Sequence, residues 1–288
     1  MKGNVMFQAV CSSAGKSTMT AALCRHLFRK GVKVAPFKAQ NLSLNSFVTT
    51  GGGEIGISQA YQAWACDIEP SADMNPILLK PKGEGGMQVV LHGRPLKDID
   101  QGSERMDMNE LLHHISSSYQ ALNSDHDVIV IEGSGSPAEI NLRGRDIANM
   151  ATARMARSPV ILIGDIDKGG VFAGLYGTYK LLGPQDRALV KGFMINRFRG
   201  DSSILGPGIE RLESEMCCPC LGVMPYAKLR SPAEDSMEIG RQGCDASGDD
   251  VRSVWLRSLD DFTDLFERSI DIDTLEMIVE NGTDRSSA

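Results

Sequence analysis

The sequence predicts an α/β protein with a mostly parallel central sheet and helices on both faces. Three observations lead there. Short β-branched apolar runs alternate with longer amphipathic stretches, the pattern of strands joined by crossover helices. The runs are nearly continuously apolar rather than alternating, as strands covered on both faces are. The first run ends in a loop of small residues, Ala9 to Thr18, that opens directly into a helical stretch.

Taken in order, the predicted strands are Val5 to Val10, Val32 to Phe37, Val128 to Ile131, Val160 to Ile163 and Gly192 to Ile195. Helices are predicted from Lys16 to Arg29, Glu54 to Ala65, Met108 to Ala121, Asp146 to Ala156 and Val171 to Leu182. With 288 residues the chain suits one large α/β domain, or one plus a partial second. Gly240 to Asp250 (GRQGCDASGDD) reads as a flexible linker, which divides the chain into a domain over 1–245 and a short extension over 246–288. Within that extension Val251 to Leu256 is read as the start of one more strand, and the final GTDRSSA as a frayed end.

Composition narrows the function. Hydrophobic residues at 42% and charged residues at 23% are the balance of an ordinary globular protein. A net charge of −7 argues against a nucleic-acid partner, because such proteins present a basic face to the phosphate backbone. No run approaches the roughly 18 apolar residues of a membrane helix, and the opening MKGNVMFQAV carries no signal-peptide pattern, so the protein is read as cytoplasmic with no membrane partner. Seven scattered cysteines suit reduced thiols, and the cluster Cys217, Cys218, Cys220 lacks a fourth metal ligand at usable spacing.

The loop Cys11-Ser12-Ser13-Ala14-Gly15-Lys16-Ser17-Thr18, set between strand and helix, is built to hold phosphate. Backbone N–H groups and the helix N-terminus face the anion, Lys16 reaches the terminal phosphates and Ser17 takes Mg²⁺. The fold expected is therefore P-loop NTPase-like, with ATP and Mg²⁺ as ligands. The general pattern has glycine five residues before Gly15, where this chain has Val10. Ala9 beside it is expected to bring a methyl group near the phosphates and to be restricted at positive φ.

Further segments carry a resemblance. Lys38-Ala39-Gln40-Asn41-Leu42-Ser43-Leu44-Asn45-Ser46, Gly52-Gly53-Glu54-Ile55-Gly56, Met74-Asn75-Pro76 and His92-Gly93-Arg94 occur in order. They are followed by Glu132-Gly133-Ser134-Gly135-Ser136-Pro137-Ala138-Glu139-Ile140-Asn141-Leu142-Arg143, Asp165-Ile166-Asp167-Lys168-Gly169-Gly170 and Asn196-Arg197-Phe198-Arg199-Gly200-Asp201. Together they resemble the synthetase half of the cobyric acid synthases, with a loop similar to that of the dethiobiotin-synthetase group.

The resemblance implies ATP-dependent amidation of the b, d, e and g carboxylates of a corrinoid, adenosylcobyrinic acid a,c-diamide, through an acyl phosphate, to give cobyric acid in cobalamin biosynthesis. Family members add a C-terminal glutaminase. Here Cys244 is the last cysteine and all histidines precede it, so ammonia is expected free or from a separate glutaminase chain. A homo-oligomer is left open.

By the same resemblance Glu132, directly after VIVI, is the Mg²⁺ carboxylate or an ordinary strand-end acid. Glu54 is a second metal ligand or a dipole cap at a helix start. Lys38 stabilises the acyl phosphate or is a surface lysine, and Asn196 reads adenine or forms a turn. Asp146 (catalytic), Asn41, Ser43 and Asn45 (substrate-binding) belong to the corrinoid side or serve as caps. Asp165 and Asp167 lie near the phosphates or form a turn. The alternative function is a nucleotide-binding subunit without catalysis, suggested by Ala9, Val10 and Ser13, the last standing where the family has aspartate. A partitioning-type ATPase would lack the SPAEINLR segment.

Overall fold

The computed structural model of the chain describes residues 1–82, 86–99, 106–142, 145–232 and 251–282. Its first half runs β1 (Gly3–Ala9), α1 (Lys16–Arg29), β2 (Val34–Phe37), β3 (Gln40–Leu42), β4 (Ser46–Val48), β5 (Glu54–Gly56), α2 (Ile57–Ala65), β6 (Ile77–Pro81), β7 (Met87–Leu91) and β8 (Arg94–Ile99). The second half runs α3 (Met108–Asp125), β9 (Val128–Glu132), α4 (Met150–Ala156), β10 (Val160–Asp165), α5 (Val171–Leu181), α6 (Pro184–Leu189), β11 (Val190–Phe198), α7 (Gly206–Met216), β12 (Cys220–Pro225), α8 (Val251–Ser269) and α9 (Ile272–Asn281).

Six strands form one parallel sheet in the order β12-β11-β10-β1-β9-β2. Side chains alternate across it, as the two-residue period of a strand requires. Val5, Phe7, Ala9, Val130 and Ile163 enter one core with α1, α2, α8 and α9. Met6, Ile129, Ile131 and Leu162 enter the other with α3, α4, α5 and α7. The predicted α/β architecture is the observed one, and all the predicted strands before residue 200 lie in this sheet.

Three local readings are corrected. Glu54 does not open a helix: it begins β5, which pairs antiparallel with β4, and α2 starts only at Ile57. The helix expected from Asp146 starts at Met150. Val251 to Leu256 is the first part of α8, not a strand. Its apolar positions Val251, Val254, Trp255, Leu259, Phe262 and Phe266 recur at three and four residues, the spacing that lines one helix face. Beside the main sheet, β3, β6, β7 and β8 form a four-stranded sheet that no sequence pattern had indicated.

The linker at 240–250 and the boundary at 245 lie outside the described residues, as do 283–288. Residues 251–282 do not stand apart from the domain. Leu259, Phe266, Leu275 and Val279 are buried in the same core as β1. Val279 O of α9 lies only 1.9 Å from where a Cβ on Gly3 would stand, so β1 and α9 approach closely because residue 3 is glycine. The basic side of α1 meets acids of α8 and α9: Arg25 with Asp260 at 2.7 Å, Arg29 with Asp264 at 2.6 Å, and His26 with Glu267 and Glu276, each at 2.8 Å. The pairs are partly exposed, so each adds little, and burial of the apolar faces carries the attachment.

Phe266, fully buried on α8, tests this attachment. Phe266→Ala is expected to lower unfolding stability by about 3–5 kcal/mol in urea denaturation, with a single transition for the whole chain. An independent early transition would contradict the shared core.

Candidate nucleotide and cation site

Between β1 and α1 the chain makes a tight loop. Ser13 and Gly15 take positive φ (59° and 98°), whereas Ala9 and Val10 do not. Ala9 is the last residue of β1 and fully buried in the core below the sheet. Val10 N donates to Ile163 O at 3.1 Å, and its side chain packs over α5 at Gly174. The strain and the intruding methyl group expected at Ala9 are thus absent, because this position belongs to the strand. Gly15 is the residue that cannot change: besides its φ, an added Cβ would lie 2.3 Å from Asn196 Nδ2.

The start of α1 has the properties of an anion site. Gly15 at its N-cap gives no side-chain cap, and its first turn holds no acid. Lys16 is buried, and its Nζ donates to Gly135 O at 3.0 Å and to Cys11 O at 3.4 Å, so it spans from the loop to the segment after β9. Ser12 and Ser13 are exposed, Ala14 is buried, and Thr18 is half-buried in the first turn. Lys168 Nζ reaches Ser12 O at 3.4 Å from across the loop.

Glu132 is the centre of the site. It ends β9 beside β1 and is 1% exposed. Its Oε1 accepts from Ser17 Oγ and from Lys38 Nζ, both at 2.7 Å. Its Oε2 accepts from Gln62 Nε2 at 2.6 Å and from Gln59 Nε2 at 3.5 Å. Burial alone would push this carboxyl upward, but the Lys38 cation and the three short hydrogen bonds hold it below its ordinary range. A serine hydroxyl beside a carboxylate is the hard-oxygen donor set that Mg²⁺ takes, with phosphate oxygens and water completing the shell. These residues fit a phosphate-bound divalent cation.

Lys38, directly after β2, is no surface lysine: it is 6% exposed. Asn75 fixes the backbone there, donating to Lys38 O at 3.1 Å and to Ile77 O at 3.0 Å while accepting from Gly56 N at 3.0 Å. Asn196 lies within β11, two residues before its end, and faces the loop. Its Nδ2 donates to Ala14 O at 2.8 Å and its Oδ1 accepts from Arg197 N at 2.8 Å.

The structure thus brings together Lys16, Ser17, Lys38 and Glu132, with Asn196 against the loop. Other expected residues are held elsewhere. Glu54 accepts from Ser46 Oγ at 2.5 Å and pairs with Lys80; despite partial burial, these bonds lower its carboxyl from the ordinary value. Asn41 Nδ2 donates to Gln59 Oε1 at 2.9 Å, which joins it to Glu132 at one remove. Ser43 and Asn45 make a local turn, with Asn45 N donating to Ser43 Oγ at 3.1 Å. Asp146 caps its own turn, accepting from Ala148 N at 2.9 Å and Asn149 N at 3.0 Å, and burial raises its carboxyl above the ordinary value. It lines a cavity of about 100 Å³ with Met150 and Arg154, room for a few waters. Asp165 accepts from Asp167 N at 3.0 Å and pairs with Arg197 at 2.8 Å, a turn arrangement.

Gln59 and Gln62 fall in none of the sequence segments quoted above, and Asn75 only within Met74-Asn75-Pro76, without a role of its own. The available signal was two amides three residues apart on a helix of otherwise small and aromatic residues, ISQAYQAWA.

Residues 5–239 match the family described as the CobQ/CobB/MinD/ParA nucleotide binding domain. The chain is 46% identical over 286 residues to a probable cobyric acid synthase of Methanosarcina barkeri, covering 98% of this chain and 59% of that protein. It is 51% identical over 239 residues to the cobyric acid synthase of Rhodococcus jostii, covering 83% and 47%. With that of Thermodesulfovibrio yellowstonii the identity is 52% over 222 residues, covering 77% and 45%. The chain thus spans about half the length of these relatives.

Removing Lys38 leaves a buried carboxylate without its cation, so Lys38→Met is expected to cost about 3–5 kcal/mol of stability at pH 7. Because the folded carboxyl titrates below its ordinary 4.5, its stabilisation is complete above that pH and is lost as pH falls through the folded value. The wild-type advantage over Lys38→Met in denaturant titrations should narrow on acidification. A gap that stays constant into acid would show that the pair is not its source.

Proposed function

Because the chain belongs to the CobQ/CobB/MinD/ParA nucleotide-binding domain family, we propose that it is the ATP-dependent amide-forming domain of a cobyric-acid-synthase-type ligase. It acts on the b, d, e and g carboxylates of adenosylcobyrinic acid a,c-diamide, with ammonia supplied free or by a separate glutaminase. The observation that carries the reading is the convergence of Ser17 and Lys38 on one oxygen of Glu132, beside a helix N-terminus with no acid in its first turn. The likeness to cobyric acid synthases over most of the chain supports the substrate.

The chemistry requires charge neutralisation more than covalent work. A substrate carboxylate oxygen takes the terminal phosphoryl group and ADP leaves; ammonia then bonds to the acyl carbon, and phosphate departs with that oxygen. Lys16 and the first N–H groups of α1 hold the phosphates in line. Ser17 and Glu132 would hold Mg²⁺, which when bound offsets the phosphate charge. Once Glu132 is shared with that ion, Lys38 is the cation available to the acyl phosphate. Asn196, beside Ala14, is placed for the base, and the segment of Asn41, Ser43 and Asn45, linked to Glu132 through Gln59, for the corrinoid side. Asp146 is proposed for the same side and Glu54 for a second cation, each after exchanging its present partners.

The rival reading, a nucleotide-binding subunit without catalysis, draws on Ala9, Val10 and Ser13; the side chains of Ala9 and Val10 are turned into the protein away from the loop, whereas Ser13 is exposed within it. Among the described residues no helix is long and apolar enough to cross a membrane. We place the protein in the cytoplasm.

Corrinoid-dependent ADP release with Mg-ATP and an ammonium salt checks the proposal. Lys16→Ala and Glu132→Gln are each expected to lower it by about 100-fold or more. Nucleotide binding without any corrinoid-dependent turnover would favour the rival.

A further inference from the structure

The two amides of α2 have no task in the reaction as described, yet both Gln59 and Gln62 are 0% exposed. Burying an amide is unfavourable unless its polar atoms find partners. Gln62 Nε2 donates to Glu132 Oε2 at 2.6 Å and to Ser17 O at 3.3 Å, while its Oε1 has no hydrogen-bond partner among the described residues. Turning the amide over would set that oxygen against a carboxylate and a carbonyl, acceptor against acceptor, so the network fixes its orientation. Gln59 reaches the same Oε2 and accepts from Asn41 Nδ2 through its own Oε1.

The two oxygens of Glu132 are thereby divided. Oε2 is held by neutral amides from α2, and Oε1 faces Ser17 and Lys38. A neutral donor on Oε2 orients the carboxylate without adding positive charge that would repel an incoming cation. The Oε1 of Gln62, on the other arm of the amide, is a buried acceptor without a partner among the described residues, a cost that the two bonds of Nε2 offset.

We propose that Gln62, supported by Gln59, is the positioning residue of the cation site. It sets Glu132 so that Oε1 is presented together with Ser17 Oγ to a divalent cation. The inference rests on the nucleotide-and-cation reading of the loop.

The test is equilibrium binding of a fluorescent ADP analogue by the purified chain, with Mg²⁺ titrated and with Mg²⁺ removed by chelator. Gln62→Leu is expected to raise the half-saturating Mg²⁺ concentration by about 10-fold or more while leaving chelator-measured nucleotide affinity unchanged. Gln62→Met, which keeps the length and loses the donor without adding charge, should shift the same way. Wild-type Mg²⁺ dependence in Gln62→Leu would overturn the proposal. So would an equal loss of affinity with and without Mg²⁺, the mark of a merely structural residue. If the wild-type chain bound the analogue without any Mg²⁺ effect, the cation reading itself would fall first.

Discussion

A carboxylate removed from water at the end of a central strand is the constraint around which this structure is arranged. Glu132 would be strongly unfavourable in isolation, since desolvation penalises its charge and nothing in an apolar core offsets it. Its partners come from three separate elements: Ser17 from α1, Lys38 from the end of β2, and Gln59 and Gln62 from α2. The sheet order makes this meeting geometric rather than accidental. With β9 lying between β1 and β2, its last residue stands between the loop that follows β1 and the lysine that follows β2. The resulting pair is a poor source of net stability but a good way to hold charge in reserve at the carboxyl ends of parallel strands, where open α/β sheets place ligands.

The loop itself shows why a departure from a sequence pattern has to be judged by where the side chain goes. Ala9 and Val10 replace the residues that loops of this kind are expected to carry, and both side chains turn into the protein, one below the sheet and one against α5. The backbone freedom is needed later, at Ser13 and Gly15. Asn196 then closes over Gly15 so tightly that the glycine and the asparagine form one packing unit, tying the loop to β11.

How much the sequence disclosed follows from the range of the interactions. Five strands of the six-stranded sheet were legible because they are nearly continuous apolar runs, and Lys16, Ser17 and Glu132 because each follows such a run or the loop it leads into; β12, with Gly222 and Pro225 in its short run, was not read as a strand. The small sheet of β3, β6, β7 and β8 was not, since strands of mixed polarity and exposure leave neither a continuous apolar run nor a clear period. Glu54 was misread because the helical pattern of α2 extends backward into a β5 strand set by pairing with β4, a tertiary choice. Trp255 and its neighbours were misread because six residues of an amphipathic helix look like a strand until the spacing out to Phe266 is counted. The buried amides escaped because a glutamine in sequence looks like surface; only the fold shows that Gln62 has Glu132 behind it.

The C-terminal helices complete the face of the sheet on which α1 lies, so the helix that carries the phosphate loop is braced from behind by α8 and α9. What remains is whether this braced site activates a carboxylate, and labelled oxygen answers that most directly. Corrinoid whose peripheral carboxylates carry heavy oxygen would be incubated with the chain, Mg-ATP and ammonium, and the released phosphate analysed by mass spectrometry. The account expects one heavy oxygen in each phosphate formed with amide, because that atom bridges carbon and phosphorus before ammonia enters. Phosphate released without label would mean that the nucleotide is hydrolysed by water, and would contradict carboxylate activation at this site.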